Sequence, residues 1–281
     1  MAPLKIRCNR HLKKLFRSKI ALALPVTFLV LFVSTLGIVA FTYYFSVERI
    51  NAQGTTLKVS TAKQNMLSLD EAVVSTMWQP GSQATYEVAD SGGQLQIQPT
   101  SNLLTLTVGG SSEVSDTVFN ASIGKVVYVL PYSSSSETGL YLKGDARAIT
   151  NQSGSSMSQL GIEIGDAHPE IQMRYRPSVT YAVSGVEDGK TVNNIRVYIV
   201  NLNGSDTIAL LGKLPLQVVC GATELSTKTF ELTSAVETLS VTAVLDGVQG
   251  TVTIPVTSTE QGAVVHLELV VCHVSIERWI R

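Results

Sequence analysis

The chain has 281 residues, 44% hydrophobic and 15% charged, with a formal net charge of −1. That apolar share excludes a disordered polyelectrolyte, the length supplies a sizeable core, and three cysteines are too few for a disulfide-stapled miniprotein. The near-zero net charge conceals a division: residues 1–19 hold seven Lys and Arg and no acid, and residues 46–281 carry a formal charge near −8.

Residues 1–19 form a basic leader with Lys5, Arg7, Arg10, Lys13, Lys14, Arg17 and Lys19. Residues 20–45 follow without one charged side chain. As a helix this run measures about 39 Å, more than the ~30 Å of bilayer hydrocarbon, so residues 20–45 are expected to span a membrane with some tilt. Cations left behind a span stay in the cytoplasm, which places the N-terminus inside and the C-terminal domain outside, as a single-pass protein of the cell membrane. The lipid bilayer is the expected partner. It accounts for the leader's charge through topology and anionic headgroups, so nucleic acid is not a partner. Cys8 is a candidate for juxtamembrane acylation, although a lone cysteine there is more often incidental.

A cleaved secretory signal is the competing reading of this segment. Such signals have a shorter apolar run and a small-x-small cleavage site, whereas this run ends in Phe41, Tyr43, Tyr44 and Phe45, aromatics suited to a membrane boundary. Cleavage on the cytoplasmic side near Arg17, Ser18 and Lys19 is a third alternative, one that keeps the apolar helix on the mature protein. Ser34, Thr35, Gly37 and Thr42 are small enough for helix contacts in lipid, although a monomeric anchor fits as well.

Residues 46–81 read as a helical stalk. Val59, Ala62, Met66, Leu69, Val73 and Met77 recur at spacings of three and four, one face of a helix, before Trp78-Gln79-Pro80-Gly81 ends it. Gly54-Thr55-Thr56 allows either a kink or a short break. The apolar face either packs on the following domain or meets partner subunits.

From residue 82 the vocabulary turns to Val, Thr, Ile, Leu, Ser and Gly, the composition of short strands joined by turns. Turn signals stand at Asp90-Ser91-Gly92-Gly93, Gly109-Gly110, Glu187-Asp188-Gly189, Asn203-Gly204 and Asp246-Gly247. The fold expected is mainly β: the N-terminal helix with its amphipathic extension, then one or two antiparallel β-sandwich units. A first β-rich unit is assigned to 82–150, a linker to 151–167 because of its Asn, Gln, Ser and Gly, and a second sandwich to 168–281.

Cys220 follows Leu214, Leu216 and Val218 at even spacing, and Cys272 shares the spacing of Val270, Val274 and Ile276. Both sulfurs can therefore meet in one core, as a disulfide outside the cell or as packed thiols. Asn120, Asn151 and Asn203 each begin an Asn-x-Ser triplet on the expected outer side, candidates for N-glycosylation. His168, His266 and His273 are isolated, and no zinc spacing, nucleophile elbow or phosphate loop is present in a supporting context. No metal, cofactor or catalytic residue is assigned, and the chain is not read as an enzyme.

The order of basic tip Arg17-Ser18-Lys19, apolar helix and amphipathic extension to Trp78 precedes Tyr86-Glu87-Val88 and Gly92-Gly93-Gln94-Leu95-Gln96-Ile97. Later come residues 118–128, VFNASIGKVVY, and 192–203, VNNIRVYIVNLN. Over roughly residues 15–205 this resembles the uncharacterised archaeal single-pass, type IV pilin-like proteins with β-rich ectodomains. The leader lacks a basic-Gly cleavage site, and no acidic residue stands near the start of the apolar helix. The resemblance implies a cell-surface structural or interaction protein, processed by a prepilin-type peptidase and assembled with like subunits or other envelope proteins. A membrane-tethered module binding a carbohydrate, solute or partner protein is the alternative function. Tyr132, Tyr141, Tyr175 and Tyr181 are the tyrosines such a binding face would use.

Overall fold

A computed structural model describes residues 19–111, 114–131, 139–151, 156–165, 168–233 and 235–279. One helix, α1 (Lys19–Thr76, 58 residues), runs unbroken through Gly54-Thr55-Thr56. The hydroxyls of Thr55 and Thr56 donate to the carbonyls four residues back at 3.0 Å each, which satisfies their polarity inside the helix. The helix stops where Ser82 Oγ donates to the Thr76 carbonyl at 2.9 Å and Gly81 takes a φ of +83°, a conformation open to glycine.

The chain divides into two compact units, Met1–Thr56 and Leu57–Arg281. In the first, the described apolar side chains from Val26 to Phe45 are exposed, Phe28 at 72%. In the second, Val59, Ala62, Met66, Leu69, Val73 and Met77 are buried. The stretch assigned to a stalk thus supplies core, and the amphipathic face is taken up by its own β domain.

The strands are β1 (Gln83–Val88), β2 (Gln94–Gln98), β3 (Leu103–Ser111), β4 (Val114–Ser122), β5 (Lys125–Val129), β6 (Tyr141–Lys143), β7 (Thr150–Asn151) and β8 (Ser158–Ile164). They continue as β9 (Pro169–Tyr175), β10 (Ser178–Glu187), β11 (Lys190–Asn201), β12 (Ile208–Leu211), β13 (Leu214–Leu232), β14 (Thr238–Leu245), β15 (Val248–Pro255) and β16 (Ala263–Arg278). A central sheet has the order β1-β13-β16-β11-β10-β7, a second β12-β2-β5-β9-β8-β6, and a third β15-β14-β3-β4. The named pairings are antiparallel except β11 with β16 and β10 with β7.

The central sheet carries a core on each face. Val271 lies in one buried cluster and the adjacent Cys272 in the other, and Ile199 and Val200 divide in the same way. Neighbouring residues of a strand point to opposite faces, so the two cores lie on opposite sides of this sheet. On one side Leu214, Leu216, Val218, Cys220, Val274 and Ile276 pack with α1 and with second-sheet residues such as Leu95, Val126, Ile171 and Met173. On the other, Ile195, Val197, Val265, Leu267 and Leu269 pack against Leu104, Leu106, Val241 and Ala243 of the third sheet.

This arrangement differs from the expected division at 151–167. Segments before and after that stretch contribute strands to all three sheets. Within it β8 is a strand with Ser158, Leu160 and Ile162 buried, because its polar entrance is followed by a short apolar alternation that has a sheet to join. Residues 214–232 form one 19-residue strand, β13, which passes a bulge between Cys220 and Thr223.

Candidate functional site

Three places in the described structure carry distinctive chemistry. The first is the thiol pair. Cys220 and Cys272 are both fully buried, and their sulfurs stand 3.5 Å apart as free thiols. The alternation predicted from sequence brings them together, and both sulfurs lie against the Met77 carbonyl at the end of α1. Burial, with Cys220 beside it, pushes the Cys272 thiol up to about 12. Cys272 is therefore a protonated, poorly nucleophilic thiol.

The second is a buried polar network that sequence reasoning missed. Asp70, on the buried face of α1, accepts a hydrogen bond from Tyr175 OH at 2.8 Å and pairs with Lys143 Nζ at 2.5 Å. Burial first, and the Asp70 carboxylate second, hold the Tyr175 phenol well above its ordinary value. Nearby in sequence, the fully buried Arg176 guanidinium donates to Asp145 and to the carbonyls of Ser156 and Arg147. Hydrogen bonds from Arg147 and Arg176 hold the Asp145 carboxyl below the usual carboxylate range. The signal for the first network was a carboxylate at helical spacing from Met66 and Val73. These pairings fasten elements together, since each charge faces a fixed partner.

The third is a shallow polar cleft of about 320 Å³ lined by Thr180, Tyr181, Ala182, Asn194, Arg196 and Glu268. Register builds it: Thr180 stands beside Arg196 on β11, and Arg196 beside Glu268 on β16. Arg196 Nε donates to Glu268 at 2.6 Å, and the guanidinium's hydrogen bonds to Tyr198 and then to Glu268 raise its pKa. On β11, the Trp78 ring meets Tyr198 edge-on, centroids 5.2 Å apart. The polar residues Asn194 and Arg196 at every second position of β11 were the sequence trace of this face.

The remaining predicted positions are dispersed. Arg17 and Ser18 lie outside the described residues, and Lys19 opens α1. Asn203 is exposed in the turn after β11. Its triplet partner Ser205 is buried, and Ser205 Oγ accepts from the Ile276 amide at 2.9 Å. Asn120 is exposed on β4, where its Oδ1 accepts from Thr105 at 3.1 Å, and Asn151 is half-buried at the end of β7. Tyr132 lies outside the described residues, Tyr175 is buried, Tyr141 is half-buried, and Tyr181 borders the cleft. His266 Nδ1 lies 3.0 Å from Thr229 Oγ1, and His273 faces Glu224 at 3.4 Å.

No family model, curated protein or solved structure matches the chain.

Proposed function

We propose that this chain is a membrane-anchored structural or interaction protein of the cell surface, a type IV pilin-like subunit in architecture. The leader is cytoplasmic and the β-rich unit is displayed outside. The observation that carries the reading is the contrast within α1. Its first half presents Val26 to Phe45 uncovered, while its second half is consumed by the β core. An exposed apolar helix of this length is costly in water and stable in lipid, and it is the one helix among the described residues long and apolar enough to cross a membrane. The seven leader cations set the orientation. Like subunits or other envelope proteins are the partners in this reading.

Protease added to intact cells tests it. The β-rich unit is expected to be digested or released while residues 1–19 are spared, and a β-rich unit untouched until the cells are lysed would refute the outward display. Mass determination of the native N-terminus reads processing in the same sample. A start near Ser18 or Lys19 corresponds to prepilin-type cleavage, and a start beyond the apolar run would make the protein secreted. The alternative, capture of a carbohydrate, solute or partner protein, draws on the cleft around Arg196 and Glu268, whose two charges and amide offer directional contacts to a polar ligand.

A further inference from the structure

Sheet edges are where folded proteins invite or refuse further strands, and they refuse by shortness, charged side chains, bulges, proline or cover. Among the described residues, most edges of this fold are protected. β7, β6 and β12 have two, three and four residues, and β1 has six. β4 is joined to β3 through two register shifts, and β10 beyond its contact with β7 is bent by an irregularity between Val183 and Gly185. β15 ends in Pro255, and the backbone at Ala148 lies against its Gly250.

β13 is different. β1 covers it only as far as Val219, while its pairing with β16 continues without interruption from Thr223 to Leu232. No described strand pairs the other edge of that stretch, and residues 221–229 are exposed on both faces, Leu225 at 64%. The stretch contains no proline.

The charges on this edge are self-complementary. An antiparallel pairing of the segment with itself about Ser226 sets Glu224 opposite Lys228 on both sides of the axis, with Leu225 opposite Thr227 and Thr223 opposite Thr229. No like charges face one another. Opposite charges directly across a strand pair stabilise, and two-fold symmetry uses each twice. Lys228 Nζ already stands 2.7 Å from Asp116 of β4 and Glu224 3.4 Å from His273, so contacts to a second copy would share or exchange these intrachain partners.

We propose that residues 223–229 of β13 are a homotypic docking edge that pairs antiparallel with the same segment of a second copy, centred on Ser226. This deepens the surface-protein reading by naming a like copy as the partner. The pairing is read in detergent, where sidedness across a membrane plays no part, so either proposal can fail alone.

The test uses the full chain in detergent micelles, with protein mass measured by sedimentation. The wild type is expected to dimerise, Glu224→Lys and Lys228→Glu are each expected to weaken the dimer at least about tenfold, and the double exchange to restore it. Mild oxidation should link Ser226→Cys into a covalent dimer while Gln249→Cys, on β15, stays unlinked. A monomeric wild type overturns the proposal. So does a dimer indifferent to the single exchanges, which would place association in the apolar helix, and so does a Ser226→Cys variant that fails to cross-link.

Discussion

The two cysteines are the residues whose chemistry depends most on their surroundings. In an unfolded chain each thiol ionises near 8.5, whereas burial and its neighbour push Cys272 up to about 12 in the fold. The folded state therefore holds its proton more tightly, so this contribution to stability is fully present below about pH 8.5 and is lost as pH rises toward 12. At pH 8 a maleimide or iodoacetamide should label neither cysteine of the folded β unit on the timescale that labels both in urea. Prompt labelling of the native protein would contradict the burial. The even spacing of Cys220 with Leu216 and Val218 was enough to place these sulfurs in one core. Asp70 was harder to read, because the partners that make a buried carboxylate acceptable, Lys143 and Tyr175, lie 73 and 105 residues away.

At the scale of elements, α1 is one helix with two environments. Leu69 is 1% exposed within the core cluster, whereas Leu57 is exposed. Leu69→Ala should cost about 2–5 kcal/mol and lower the urea midpoint by roughly 1 M, while Leu57→Ala should change stability by less than about 0.5 kcal/mol. Equal effects would mean that the apolar stripe is not buried as described. The stripe itself was plain in the sequence, since a period of three and four survives whatever the helix packs on. The turns were legible for a similar reason. Asp188-Gly189 and Asp246-Gly247 both take positive φ, between β10 and β11 and between β14 and β15, as two-residue hairpin loops demand. Gly109-Gly110 misled as a turn signal. It lies within β3 at a register shift with β4, where the backbone of Leu239 would meet any side chain on Gly110.

For the whole molecule, the β unit and the second half of α1 are expected to be inseparable. A fragment beginning at Leu57 keeps Val59, Ala62, Met66, Leu69, Val73 and Met77 and should be soluble and cooperatively folded, whereas one beginning at Gln83 loses these six buried apolar side chains, with buried Asp70, and should aggregate. Gel filtration and thermal melts distinguish them, and a folded, soluble fragment from Gln83 would show that the helix is dispensable to the core. By itself the sequence determined the apolar span, the helix stripe, the β vocabulary and several of the turns, because each rests on local composition or on a period of 2 or 3.6 residues. Only the tertiary structure decided that segments on both sides of residue 151 interleave in three sheets, that one sheet buries a core on each face, and that β13 keeps an open edge. Those features depend on which distant strands pair. The doubled burial at Val271-Cys272 and Ile199-Val200 breaks the alternation a sequence reader relies on, because the covered face changes partway along the strand.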